Sequence, residues 1–317
     1  KMVSMALTGT MAVAVLAGAG TSEVKAADKA KIGVLVADVS GEEAQGFRSY
    51  YENYIAGNYD VEFNYTDALQ SAEDEKTAIE KFASQGCQAI ISFSSNDRVQ
   101  QIETCEKYGV YYAVASGVLD DAQYETYKTY EYFAGQVGPG NDTEFEAGKD
   151  MGAYYKEQGV SKVAIYGAFI PNPMHVYRVA GVLNGLGCTY GGESDMNAIA
   201  GQIFQDQTVD LSKVEGDVEV VSYLQGYGDT TTDELNAAIQ KTPDAFISVG
   251  MATTFFAQSL SEAGISFSDI DSFTETNGNS MKNGTLTYLA GKYSSSIGPV
   301  FALVMNAING NVIRDED

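Results

Sequence analysis

Histidine occurs once in the 317-residue chain, at position 175. That scarcity excludes a metal site built from several imidazoles, and any Ser–His–Asp arrangement would have to run through His175. No G-x-S-x-G elbow accompanies it, and His175 stands just ahead of a helical pattern in Pro171-Asn172-Pro173-Met174-His175. Phosphate-cradling loops are absent too. There is no G-x-x-x-x-G-K-[ST], Gly33 has the wrong neighbours for a dinucleotide fingerprint, and Gly138-Pro139-Gly140 reads as a turn. Glu193 and Asp195 share a glycine-rich loop that lacks the spacing of a calcium loop. Basic residues are few, 19 against 43 acidic ones, for a net charge of −24. Such a balance repels nucleic acid and anionic lipid and serves solubility. The three cysteines, Cys87, Cys105 and Cys188, are an odd set and no disulfide framework. Buried thiols are expected, with a Cys87–Cys105 bridge left open. The absences together point away from an enzyme: no catalytic residue, no cofactor and no metal is expected.

The first thirty residues differ from the rest. Lys1 precedes an apolar run through Met11–Ala17, followed by small residues and Val24-Lys25-Ala26. A basic start, a short apolar stretch and an A-x-A-like site predict an export signal over 1–26, since a membrane span needs about 20 apolar residues. Leu16-Ala17-Gly18-Ala19 resembles a lipoprotein box with Ala19 where the lipidated cysteine would stand, so no lipid anchor is expected. Lys rather than Met at the start, and Arg314–Asp317 after a helix, suggest trimming at both ends.

From Lys31 onward, short apolar runs alternate with amphipathic stretches. Lys31–Ala37, Ala89–Phe93, Val110–Val114, Lys162–Tyr166, Val218–Tyr223 and Ala245–Val249 read as strands covered on both faces. Val61–Tyr65 alternates, and Ser272–Thr274 closes the series. Helical spacing falls at 44–55, 74–85, 97–108, 177–186, 232–241, 253–263 and 297–308, and Asn141-Asp142-Thr143 with Glu146 predicts a capping box. Helices that end in Gly and run at once into β-branched residues are βαβ crossovers, which make parallel sheets. About ten strands exceed one comfortable twisted sheet. The irregular, tyrosine-rich 120–132 and the turn at Gly138-Pro139-Gly140 mark a first crossing near Gly135, and Asn277-Gly278-Asn279 a return. The fold class predicted is α/β, two Rossmann-like lobes with parallel sheets joined by hinge strands. Lobe 1 comprises 27–134 plus 280–317, and lobe 2 comprises 135–279.

Open parallel sheets bind ligands beyond their strand C-termini, so the candidate ligand-binding residues are polar groups just past strand ends. In lobe 1 these are Ser40, Glu42, Ser94, Asn96 and Ser116; in lobe 2, Phe169, His175, Arg178, Tyr227, Met251, Glu275 and Asn277. Helix capping is the plain alternative for Ser40 and Asn96, and a surface loop for His175. Arg178 is the sharpest, since a guanidinium on a first helical turn can fork two hydrogen bonds to vicinal hydroxyls or a carboxylate.

In order and spacing, Lys31-Ile32-Gly33-Val34, Gln85–Ile91, Glu146-Ala147-Gly148, Met151-Gly152, Arg178-Val179-Ala180-Gly181 and Ile297–Gly310 resemble the type I periplasmic-binding-protein family, in its ribose-binding-like, LacI-related branch. The resemblance implies two lobes that close on a small ligand and deliver it to the permease subunits of an ABC importer. It implies a periplasmic or cell-surface location, and a monomer is expected. It matches Arg178 to the family's sugar-binding arginine. Where sugar binders carry Asp-Arg the chain has Ala115-Ser116-Gly117, and where they carry Asn-Asp it has Gly250-Met251-Ala252. The lost carboxylates suit a less hydroxylated or more planar ligand, so a nucleoside stays open beside a carbohydrate, as does a sensing module for a receptor kinase or chemoreceptor.

Overall fold

The computed structural model describes residues 29–313, apart from Asp38, Pro171 and Tyr227. The expected export signal with Ala19, the C-terminal 314–317 and the candidate Tyr227 lie outside the described residues. Among the described residues no helix is long and apolar enough to cross a membrane.

Two five-stranded parallel sheets organise the chain. β1 (Ala30–Leu35), β2 (Val61–Tyr65), β3 (Ala89–Ser92), β4 (Tyr111–Val114) and β5 (Phe133–Gln136) lie in the order β2-β1-β3-β4-β5. After a two-residue pair, β7 (Thr189–Tyr190) with β8 (Val214–Glu215), the second sheet takes β6 (Lys162–Tyr166), β9 (Glu219–Leu224), β10 (Ala245–Ser248), β11 (Ser266–Ile270) and β12 (Leu286–Ala290) in the order β12-β11-β10-β6-β9. In each sheet the first strand is followed by one neighbour on one side and the next on the other. That reversal opens a crevice at the strand C-termini of both lobes. β3 and β10, beside the crevice, are buried along their whole length, as continuous apolar runs in a doubly covered sheet require.

Helices cover both faces. On the first sheet, Ile32, Val34, Tyr51 and Phe63 pack with Val300, Phe301 and Val304 of the C-terminal helix Gly298–Ile308, while Leu35, Ile79, Phe82 and Ile90 fill the other face. The second lobe has one core spanning Val163, Ile165, Val179, Leu183, Phe246 and Phe267. The predicted α/β class with two parallel-sheet lobes is the observed one.

Several local expectations are corrected. Asp120–Tyr132 is irregular only in its last five residues: Asp120 and Gln123 form a reciprocal capping box and start a helix over Asp121–Tyr127, and turns follow it. The box expected at Asn141–Glu146 does not form, because the helix Asn141–Glu157 already begins at Asn141 with Gly140 as its cap. Ser272–Thr274 is a loop; the strand is β11, whose buried Ser268 and Asp269 disguised it as polar sequence. The return crossing follows β12, at 291–293, since β12 is an edge strand of the second sheet and Asn277 lies inside the helix Glu275–Lys282. Cys87, Cys105 and Cys188 are buried and free.

Candidate functional site

The helices Asn141–Glu157 and Pro173–Gly185 meet backbone to backbone. A methyl group at Gly148 would lie 2.0 Å from the Arg178 carbonyl oxygen, and one at Gly181 2.0 Å from that of Phe145. Only glycine permits that approach, and it brings two long side chains together. Arg178 Nε donates to Glu144 Oε2 at 2.5 Å, and Nη1 donates to the Val249 carbonyl at 2.9 Å and that of Ile270 at 3.5 Å. The pair is largely buried, 12% and 5% exposed, so it acts in a low dielectric. Arg178 thereby clamps the ends of β10 and β11, and Nη2 is the nitrogen outside these bonds.

One turn earlier on the same helix, His175 is buried. Its Nδ1 lies 3.1 Å from both the amide nitrogen and the carbonyl oxygen of Phe169. Burial, with the Arg178 charge adding, lowers its pKa to about 4, so the imidazole is neutral at neutral pH. This neutral ring cannot serve as an imidazolium.

The facing wall comes from lobe 1. After β4, Arg98 Nη2 and Nη1 donate to the carbonyls of Ser116 and Val118 at 2.6 and 3.0 Å, fixing the Ser116-Gly117 turn. A third wall joins Gly250-Met251, Ile270-Asp271-Ser272 and Gly291-Lys292, the C-terminal ends of three second-sheet strands. Burial, then the nearby Glu43 charge, raises the Asp271 pKa against the pull of the Ser272 amide. These walls enclose a cavity of about 580 Å³ between the lobes. Beside it, a hollow of about 320 Å³ is lined by Glu42–Phe47 of lobe 1 and Ser272–Glu275 with Lys292.

Of the candidate residues read from the sequence, Ser116, His175, Arg178 and Met251 line the larger cavity, and Glu42 and Glu275 line the smaller. The others stand elsewhere. Ser94 is buried and donates its hydroxyl to Glu75, whose carboxylate also accepts from the amides of Asn96 and Asp97 at 3.0 and 3.1 Å. Both residues therefore serve the lobe's own loop. Asn277 is buried and donates to the Ser272 carbonyl at 2.7 Å. Phe169 packs on the lobe 2 core beside His175, and the Ser40 carbonyl accepts from Gln45 at 2.9 Å.

Glu144, Asp271 and Lys292 also line the cavity and were not read from the sequence; Glu43, one of the polar residues that follow β1, lines it as well. Carboxylates therefore reach the cavity from Glu43, Glu144 and Asp271, and not from 115–117 or 250–252, where the resemblance implied their loss. Glu144 sits in an amphipathic stretch 34 positions from its arginine, a pairing no local pattern displays. Asp271 did carry a signal, an acidic residue directly after β11, but it was lost with that strand. Apart from the imidazole, no described residue lining the larger cavity is aromatic.

No protein-family model and no curated protein matches the sequence. The fold does match solved structures. A periplasmic solute-binding protein of an ABC transporter from Actinobacillus succinogenes, with bound D-allose, is 17% identical with a TM-score of 0.68, over 90% of this chain and 93% of that one. An ABC-transporter solute-binding protein from Bacillus halodurans, with bound myo-inositol, is 17% identical with a TM-score of 0.62, over 92% and 93%. The transcription regulator CcpA of Lactococcus lactis is 10% identical with a TM-score of 0.62, over 90% and 94%. At these identities the likeness shows the fold, that of type I periplasmic binding proteins.

Proposed function

We propose that this chain is an extracytoplasmic solute-binding protein that captures a small carbohydrate-type ligand between its lobes for ABC-type import. The observation that carries this reading is the cavity of about 580 Å³ walled by both lobes at the strand C-termini. Its size lies within the roughly 300–1,000 Å³ of small-molecule sites. Arg178 and Asp271 supply donors and acceptors for hydroxyls, Ser116 adds a hydroxyl, and Met251 with Ile270 covers an apolar ring face. Without an aromatic plane among the described lining residues, hydrogen bonding rather than base stacking holds the ligand. That favours a sugar or polyol over a nucleoside, and the solved structures with bound D-allose and myo-inositol support the same class. The lobes would close about the crossings at 137–140 and 291–293, and permease subunits would recognise the closed form. The expected export signal fits an extracytoplasmic place of work, and the protein itself performs no chemistry on its ligand.

A thermal-shift screen against sugars, polyols, nucleosides and amino acids tests the proposal. A true ligand at 100 times its Kd stabilises the protein by about 2.7 kcal/mol, and Arg178→Ala is expected to abolish that shift. Stabilisation by nucleosides or amino acids alone, or turnover of a bound sugar, would refute it.

A further inference from the structure

Two adjacent carboxylates of lobe 1 cross the cleft. Glu42 and Glu43 open the helix Glu42–Ser49, which follows β1. Glu42 Oε1 accepts from the backbone amides of Glu275 and Thr276 at 2.8 and 3.2 Å. These are the first amides of the lobe 2 helix Glu275–Lys282, whose Thr274 cap serves only the Asn277 amide. One carboxylate therefore satisfies donors that the lobe 2 helix leaves open, while sitting at the N-terminus of its own helix, where negative charge is also favoured. A hydrogen bond from the Thr276 side chain, with these amide bonds adding, lowers its pKa against the effect of burial. Next to it, Glu43 Oε1 accepts from Ser272 Oγ at 2.5 Å and pairs with Lys292 Nζ at 2.9 Å. Lys292 continues the line to Ser116 Oγ of lobe 1 at 3.4 Å and lies 5.3 Å from the Phe47 ring centre. Glu43, Ser272 and Lys292 line both the larger cavity and the smaller hollow, so the cluster forms the partition between them.

We infer that Glu42 and Glu43 form a built-in latch. They hold the lobes together through a helix cap donated across the cleft and a charge pair beside it, and they close the passage between the outer hollow and the inner cavity. The Glu42 half of the latch is distinct from ligand recognition, because Glu42 does not line the larger cavity and its bonds run to the opposite lobe. It sets how readily the lobes part before any ligand is considered. Sequence adjacency allows this: two consecutive residues on a first helical turn reach one loop of the opposite lobe.

The test measures the distance between lobes in protein without added ligand. Spin labels at Lys81→Cys and Asp233→Cys, exposed positions in lobes 1 and 2, report it by pulsed electron resonance, because the three native thiols are buried. Glu42→Ala is expected to shift the distribution toward parted lobes by roughly fivefold in the closed-to-open ratio, the size of one charge-assisted hydrogen bond at partial exposure. Glu275→Pro removes the shorter Glu42 contact from the donor side and leaves Glu42 intact. Proline is well tolerated at that first helical position, and Thr274 before it is already extended. It should give a shift in the same direction, and combining it with Glu42→Ala should add little. A Glu43→Ala shift should be matched by Lys292→Met. Distributions unchanged in Glu42→Ala and Glu43→Ala, with unfolding temperature preserved, would overturn the latch. So would fully additive effects of Glu42→Ala and Glu275→Pro. The readout needs no ligand, so failure of the latch and failure of the carbohydrate reading appear in separate experiments.

Discussion

Gly148→Ala tests the structural basis of the site at its most constrained point. The added methyl would lie 2.0 Å from the Arg178 carbonyl oxygen, which is backbone and cannot swing aside. Ordinary contact begins near 3.4 Å, so the helices Asn141–Glu157 and Pro173–Gly185 must separate locally by about 1.4 Å. Overpacking of this kind costs about 1–3 kcal/mol. A lobe of this size loses roughly 2–4 °C of melting temperature per kcal/mol, so a fall of about 2–12 °C is expected. The same displacement pulls Arg178 from Glu144 and from the Val249 carbonyl, bonds of 2.5 and 2.9 Å that lengthen past hydrogen-bonding range. Ligand affinity should therefore fall with stability. Gly159→Ala is the control, since its φ of +75° strains any side chain but no atom lies near a methyl group there. It should cost about 1 kcal/mol and leave binding alone. Thermal unfolding and titration calorimetry on both variants decide the matter. A Gly148→Ala protein that melts and binds like the parent would refute the claim that close backbone contact places the Glu144–Arg178 pair.

Three further outcomes follow from the buried charges. Glu144→Gln keeps shape but leaves the Arg178 guanidinium without its counter-ion, and chemical denaturation should report a loss of about 3 kcal/mol; a neutral result would mean that solvent already screens the pair. His175 has a folded pKa of about 4, below the unfolded value near 6.5. The unfolded state then binds the extra proton between those values, so the His175 contribution is present above pH 6.5 and is lost as pH falls toward 4. His175→Gln should flatten that part of the stability profile by up to about 3 kcal/mol, and identical slopes would contradict a buried neutral imidazole. Asp269 has the opposite sign: burial, with the Asp271 charge adding, raises its pKa to about 7. The folded state holds a proton that the unfolded state releases, so stability falls from about pH 4 to 7. Asp269→Asn should gain a few kcal/mol on the parent across that window and remain level above it, measured by urea unfolding at stepped pH.

Much of this architecture is legible in the chain itself. Runs such as Ala89-Ile90-Ile91 and Ala245-Phe246-Ile247 read as doubly covered strands because glycine-ended helices bound them, and that alternation gives parallel sheets. From that pattern the α/β class, the two lobes and a cleft at the strand C-termini all follow, as does Arg178 above it. β11 was hidden because Ser268 and Asp269 are polar yet buried, with Asp269 bonded to Ser248 and Thr253. Periodicity reads polarity as exposure, and it has no view of a hydrogen bond that removes the cost of burial.

The tertiary structure alone decided which polar residues face the cavity. Ser94, Asn96 and Asn277 look like cleft residues by position, yet each is engaged within its own lobe, two of them around the buried Glu75. Glu144 meets Arg178 across 34 positions only because glycines let two helices touch. Glu42 finds its partners 233 and 234 positions away. Local sequence sets backbone conformation and the period of burial, both of which depend on neighbours a few residues apart. The partners of a charge depend on how far-separated segments are brought together, and that is decided only when the sheets, helices and crossings have packed.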